Sequence, residues 1–376
     1  MISLAHHWLI SERGGEKVLQ SFSRIFPSAD IYTLVANKDL SGFGDWLQGH
    51  RIVTSMLNLF PGAARRYKML LPLFPLTVGH FKVSSGVELI LSSDASVIKG
   101  LLVPDEAIHV CYCHSPPRYL WAMQDTYLKQ SSGLGFIGRS VFKAVTPYVK
   151  SFDRKAAQKV DHFIANSSFV AKRIQRYYNR EATVIYPPVS FGDFIFTRAK
   201  EDFYLVVSEL VPYKRVDLAV DAFNKNGKRL VIIGEGSERE SLEAKAESNI
   251  EFLGRQPFSV LKQSYSKCRA FILPGIEDFG ITPLEAQASG SPVIAFGEGG
   301  ALETVVDRKT GLFFKEHTAD ALISVIHEFE LMKLNAADCR RNAERFSEDR
   351  FRREIRDFLV QVAPEAMCVR RSLNLE

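Results

Sequence analysis

At 376 residues the chain exceeds the size at which one hydrophobic core keeps growing, so two domains are expected. Apolar residues at 46% and charged residues at 24% exclude a disordered or fibrous chain. The balance of 48 Lys and Arg against 43 Asp and Glu leaves +5, less than DNA binders concentrate, and suits an anionic small substrate or an anionic membrane surface.

The chain opens with a short apolar strand, Ile2 to Ala5, then a loop holding Gly14 and Gly15. Glu16 to Phe26 places Val18, Leu19, Phe22, Ile25 and Phe26 at helical spacing. Strand, glycine loop and helix begin an α/β unit. Asp30 to Val35 reads as the next strand, and His109 to Cys113 as a buried one running into His114-Ser115-Pro116-Pro117. Phe163 to Ala165 ends before a helix around Val170 to Tyr177, capped by Ser167 or Ser168. Val184 to Tyr186 is short and extended. The double proline at 187 and 188 forms an extended connector and the expected domain boundary.

The pattern then restarts. Strands are expected at Phe203 to Val207, Arg229 to Ile233, Ile250 to Leu253, Ala270 to Leu273 and Pro292 to Phe296. Helices are expected at Asp217 to Phe223, Glu238 to Ala246, Pro283 to Ala288 and Ala319 to Leu334. Arg345 to Val362 is a last helix, with Phe351, Ile355, Phe358, Leu359 and Val362 on one face, and Pro364 onward reads as a tail. Five Cys are few and odd in number, and Cys111 and Cys113 lie one residue apart on one strand, which suits a reducing compartment. No run approaches the ~20 apolar residues of a membrane span, and Met1 to Leu4 lacks a basic leader. A soluble or peripheral cytoplasmic protein is expected.

Several post-strand loops carry chemistry. Glu277 and Glu285 enclose a run in which Gly280, Ile281 and Thr282 precede Pro283 at a helix start, where free N–H groups and the helix dipole favour an anion. Glu285, one turn into the helix, can accept bonds from vicinal hydroxyls. Lys214 and Arg215 follow another strand and can clamp a diphosphate. Gly234-Glu235-Gly236 fits either a close backbone approach to a ligand or a tight turn, and lacks the full dinucleotide fingerprint. Gly297, Gly299 and Gly300, with Glu303 behind them, are equally ambiguous alone. Each loop separately also fits a solvated turn, whereas one nucleotide-diphosphate site accounts for all four.

In the first half, Gly14-Gly15-Glu16 lies where backbone N–H groups meet a phosphate. His114 is presented at a strand end by a stiff proline segment, with Arg118, Tyr119 and Trp121 as a rim. His6-His7 has no carboxylate or Cys at obvious ligand spacing, so no metal is expected there. From Trp46 to Val87 there is no Asp or Glu, while Arg51, Arg65, Arg66, Lys68 and Lys82 occur beside the apolar run Met69 to Phe74. Lys129 to Lys159 adds seven basic residues against one acidic. Such a segment suits an anionic membrane or acceptor surface, or else its apolar residues are simply core.

The run Val211-Pro212-Tyr213-Lys214-Arg215-Val216-Asp217 and the Glu277-x7-Glu285 pair carry a family likeness. Cys113-His114-Ser115-Pro116-Pro117-Arg118-Tyr119 and Ile185-Tyr186-Pro187-Pro188 add to it. From Ile2 to Val362 the chain resembles the retaining GT-B glycosyltransferases of family 4. It looks most like bacterial GDP-mannose-dependent mannosyltransferases of lipopolysaccharide and surface polysaccharide biosynthesis. The resemblance implies an α/β fold of two Rossmann-like domains whose parallel sheets face across a cleft. Residues 1–187 would be the acceptor-side domain, 188–344 the nucleotide-sugar domain, and 345–376 a helix crossing back plus a tail. It further implies donor binding by Gly15, Lys214, Arg215, Gly234, Gly280, Ile281, Thr282 and Glu285, with Gly15 near the phosphates from across the cleft. His114 and Glu277 would act on the transferred sugar. The acceptor would be lipid-linked or an oligosaccharide, configuration would be retained, and neither metal, other cofactor nor nucleic acid would take part. One departure is Glu209, where the family commonly has Arg, five residues before Lys214. A glucosyltransferase using a UDP- or ADP-sugar, or a catalytically weak nucleotide-sugar binder, is the alternative.

Overall fold

The computed structural model describes residues 1–12, 14–124 and 135–371. Lys129 and the side chains of Lys68 and Arg139, counted above among the basic residues, lie outside the described set. The chain divides into two units, Met1–Pro188 with Asp349–Glu376, and Val189–Glu348.

Both units are α/β, each on a parallel sheet. The first sheet has the order β3-β2-β1-β4-β5-β6-β7. These strands are β1 Ile2–Leu9, β2 Asp30–Ala36, β3 Ile52–Thr54, β4 Leu89–Asp94, β5 Ile108–Cys113, β6 His162–Ala165 and β7 Thr183–Val184. The second has the order β10-β9-β8-β11-β12-β13. Its strands are β8 Tyr204–Val207, β9 Leu230–Ile233, β10 Ile250–Gly254, β11 Ala270–Leu273, β12 Val293–Phe296 and β13 Gly311–Phe314. Strands covered on both faces read as continuous apolar runs, as in Leu230-Val231-Ile232-Ile233, where every residue is buried.

Each sheet starts in the middle, grows outward by two strands, then crosses to the other side of its first strand. This is the doubly wound Rossmann order, whose ligands bind beyond the carboxyl ends of the strands at the reversal. The reversals fall between β1 and β4 and between β8 and β11, and both pairs are hydrogen-bonded in parallel register. In that register His6 lies beside Ser93.

Several boundaries differ from the sequence expectation. β1 runs on to Leu9, and Gly14 and Gly15 open the helix Gly14–Ile25 instead of forming a loop. β4 was not anticipated at all, although Leu89-Ile90-Leu91 is a short apolar run. The expected helix to Leu334 ends at Leu331, and Asn335 caps a new one, Ala336–Glu344, by accepting a bond from Ala337 N. The expected tail is the helix Pro364–Arg371, in which Ala366 is buried. The helix Glu348–Val362 buries Phe351, Ile355 and Leu359, one face at four-residue spacing, against Val18, Phe22 and Tyr112 of the first unit. Phe351 stacks on Phe22 with ring centroids 5.8 Å apart. Among the described residues, no helix is long and apolar enough to cross a membrane.

Candidate active site

In the second unit the site begins at the end of β8. Pro212–Lys214 makes one tight turn and Arg215 adopts a left-handed conformation, φ 55°, before the helix Val216–Asn226. Lys214 is thereby turned toward the loop after β11, where its Nζ is paired with Glu277. Both side chains are about one-seventh exposed, at 15% and 14%, so the pair is shielded but reachable. Glu277 is held by its backbone: its carbonyl accepts a bond from Gly300 N at 2.8 Å, and it bridges Gly299 in the loop after β12. Gly280 follows with φ 89°, and Ile281 and Thr282 open the helix Ile281–Ala288. First-turn N–H groups have no acceptor within their own helix and carry the positive end of its dipole. Glu285, one turn on, accepts a bond from Tyr265 Oη at 2.9 Å. Burial, and then Glu285 itself, push the Tyr265 phenol well above its ordinary range, so it remains the donor.

The structure brings Lys214, Glu277, Gly280, Ile281, Thr282 and Glu285 to neighbouring loop and helix-start positions. It assigns two other residues different surroundings. Arg215 Nε donates to Asp217 Oδ1 at 3.2 Å. Glu209 is exposed. Gly234 is explained by packing: with φ 150°, a Cβ there would lie 1.8 Å from the Ser208 carbonyl oxygen, so no side chain fits whether or not a ligand is near. His317, absent from the sequence reading, follows β13 and stacks on Phe296 at 3.5 Å between ring centroids. Its Nε2 is buried with no hydrogen-bond partner. Burial and then Arg215 hold its pKa below the ordinary value.

In the first unit, four side chains converge on Ser93 and its neighbours. Ser93 Oγ lies 2.7 Å from His114 Nε2 and 3.0 Å from His6 Nδ1. His6 Nε2 lies 3.4 Å from Glu16 Oε1, and His7 Nδ1 donates to the Ser93 carbonyl at 3.2 Å. The expectation that His6-His7 lacks a carboxylate is therefore corrected. The helix Gly14–Ile25 returns Glu16 to β1, and ligand atoms of His6, His7 and Glu16 lie within 4.8 Å of one another. Burial lowers the pKa of His6 to about 4, and of His7 and His114 to about 3, so all three are neutral at pH 7. Gly15 faces these rings: a Cβ there would lie 3.4 Å from His6 Cε1 and 3.6 Å from His114 Nε2, ordinary contact distances. The His114 backbone is tied on both sides, its N–H to Asp94 O at 2.8 Å and its carbonyl to Asn166 Nδ2 at 2.9 Å.

Trp121 is half-buried, with Lys150 and Arg154 over its ring at 5.3 Å, and it also reaches inward. Its Nε1 donates to Asp153 Oδ2 at 2.7 Å, as does Tyr178 Oη. Lys99 Nζ spans Asp153 Oδ1 at 2.5 Å and Asp94 Oδ2 at 3.2 Å, all three buried. His109 is a core residue as expected, bonded to Ser92 Oγ at 2.8 Å. The apolar run beside Arg65 and Arg66 divides: Phe74 is buried, whereas Met69 is 65% exposed. Met56, Leu59, Phe60, Leu73 and Leu76 are also exposed, as are Arg65 and Arg66 themselves.

Residues 193–346, nearly all of the second unit, match the family described as "Glycosyl transferases group 1". The O-antigen chain mannosyltransferase RfbU of Salmonella typhimurium is 30% identical over 163 residues, 39% of this chain and 45% of its own. A GDP-mannose-dependent alpha-mannosyltransferase of Mycobacterium tuberculosis is 32% identical over 136 residues, 35% of this chain and 36% of its own. The chain spans about half the length of such curated relatives. Among solved structures, Anabaena Alr3699/HepE in complex with UDP-glucose superposes with a TM-score of 0.67 at 16% identity, covering 96% of this chain and all of that one. That likeness shows the fold: two Rossmann-like parallel-sheet domains shared with GT-B glycosyltransferases.

Proposed function

We propose that the chain is a retaining glycosyltransferase that moves mannose from GDP-mannose to a lipid-linked or polysaccharide acceptor, without a metal. The observation that carries the reading is the Lys214–Glu277 pair at the β8/β11 reversal, beside the start of the helix Ile281–Ala288. A diphosphate there meets the N–H groups of Ile281 and Thr282 and competes with Glu277 for Lys214. Glu277, released from the cation, accepts bonds from hydroxyls of the transferred sugar. Glu285, steadied by Tyr265, accepts from the ribose.

The chief chemical task is to stabilise the leaving diphosphate as its bond to the sugar breaks, which preorganised N–H groups and a cation do without reorganising. In a front-face displacement the departing phosphate oxygen takes the proton of the acceptor hydroxyl, and configuration is retained. His114 serves the sugar as a neutral hydrogen-bonding group and not as a free base. The preference for mannose is supported by the two mannosyltransferase relatives. A second reading, glucose from UDP-glucose, is supported by the UDP-glucose bound to the Anabaena structure. The exposed apolar residues beside Arg65 and Arg66 fit peripheral contact with an anionic membrane, where each surface Lys or Arg contributes about 1 kcal/mol.

Calorimetric titration with GDP-mannose and UDP-glucose, followed by product NMR with lipid-linked acceptors in EDTA, tests the reading. Tight GDP-mannose binding and an α-linked product are expected. Binding of UDP-glucose alone moves the reading to glucosyl transfer, binding without product makes the chain a nucleotide-sugar binder, and binding of neither sinks it. Flotation with phosphatidylglycerol vesicles at low salt tests the membrane surface, and a wholly unbound protein counts against it.

A further inference from the structure

Donor and acceptor chemistry assigns a direction to the hydrogen bonds around Ser93. As a carboxylate Glu16 only accepts, so His6 Nε2, 3.4 Å away, carries the proton between them. A neutral imidazole with a proton on Nε2 has a lone pair on Nδ1, and Nδ1 therefore accepts from Ser93 Oγ–H at 3.0 Å. Ser93 has one hydroxyl proton and has spent it on His6. Its Oγ can then only accept from His114, so the 2.7 Å contact is His114 Nε2–H donating to Ser93. His7 is set separately: the Ser93 carbonyl accepts from its Nδ1–H, leaving Nε2 as an acceptor.

We propose that Glu16, His6 and Ser93 form a one-directional hydrogen-bond relay that holds His114 in its Nε2–H tautomer and presents Nδ1 as an acceptor for a substrate hydroxyl. Glu16, His6 and Ser93 act through His114 and are positioning residues. The geometry supports this beyond pairwise contacts, since β1, β4 and the helix Gly14–Ile25 each contribute one member, and all three are buried. Burial also disfavours the imidazolium form that would erase the tautomer distinction. A relay ending on a carboxylate cannot reverse. One ending on an amide can, because an amide both donates and accepts. The role given to Nδ1 rests on the glycosyltransferase reading, whereas the tautomer itself does not.

The test is Glu16→Gln, close in shape to the original. Nitrogen-15 NMR of the full chain labelled at histidine, with His114 assigned by loss of its signals in His114→Asn, separates the tautomers. The wild type is expected to show His114 protonated on Nε2 alone. Glu16→Gln should populate the Nδ1–H form, and Ser93→Ala should speed exchange of the His114 Nε2 proton. Turnover in Glu16→Gln should fall about tenfold, the scale of one lost charged hydrogen bond, with donor affinity unchanged. A wild-type His114 protonated on Nδ1, or a tautomer ratio that Glu16→Gln leaves unmoved, overturns the relay. So does stoichiometric zinc in the purified protein, because a metal on His6 Nε2 removes the proton from which the direction follows. If the NMR result holds and no sugar is transferred, the functional reading fails and the relay stands.

Discussion

The two units use one topology for two electrically different sites. At the β1/β4 reversal His6, His7, Glu16 and Ser93 are buried, His114 is half-buried, and all three imidazoles are neutral. At the β8/β11 reversal a largely shielded ion pair lies beside a helix start. Topology decides where a ligand approaches, and local residues decide what it meets. The first site offers fixed hydrogen-bonding directions and the second offers charge. A rigid network of neutral imidazoles suits orientation of hydroxyls, while an exchangeable cation suits an anion that must be bound and released.

Acid should separate the two units most strongly. His6, His7, His109 and His114 are all held far below their ordinary pKa by burial, at about 4, 3, 4 and 3. In the unfolded chain each regains a pKa of about 6.5, so below that pH the unfolded state binds more protons and folding loses stability. Each histidine contributes up to about 1.4 kcal/mol per pH unit between its two values. Trp8, Trp46 and Trp121 all lie in the first unit, so tryptophan fluorescence reports it selectively. Its thermal midpoint is expected to fall steeply between pH 6 and about 4, and a midpoint indifferent to pH would contradict the buried neutral state.

The glycines provide the next contrast. Gly234→Ala forces a Cβ to 1.8 Å from a backbone oxygen at a φ that side chains avoid. A loss of about 3 kcal/mol or more is expected in chemical denaturation. Retention of wild-type stability would mean that the β8 loop moves freely, and the packing explanation of Gly234 would be lost.

Lys214→Ala probes the charged site itself. It removes the cation from Glu277 and should weaken nucleotide-sugar binding by about 1–3 kcal/mol, the range for hydrogen bonds to charged groups. Unchanged affinity by calorimetry would place the diphosphate elsewhere.

Gly15→Ala is the gentlest change and tests the neutral site. The methyl meets ordinary contacts and replaces glycine inside a helix, so stability should hold or rise by up to about 1 kcal/mol. It also fills space beside His114, so turnover should drop although the fold is intact. Wild-type turnover would show that the space is not used by substrate.

Much of this was visible in the residues. Buried parallel strands are apolar runs, and β5, β8, β9, β11 and β12 could be read directly, as could the loops bearing Lys214, Glu277 and His114. Elements without such signals were missed. β3, Ile52–Thr54, sits in a region of short turns, and β4 changes from apolar to Ser92-Ser93-Asp94 at the point where it enters the polar network. The contact of Arg215 with Asp217, only two residues away, was not anticipated.

By itself the sequence determined residue types, periodicity and the order of strands and loops along the chain. It thereby settled the α/β class and the candidate chemistry after each strand. Only the tertiary structure decided partnership: Glu16 with His6, Ser93 with His114, Lys214 with Glu277, and Gly234 with the Ser208 backbone. The physical reason is that strand periodicity is a local property of backbone geometry, whereas a hydrogen bond or a steric exclusion depends on which strands become neighbours. His6 and Ser93 are 87 positions apart in the chain and side by side in the sheet, and no spacing rule connects them.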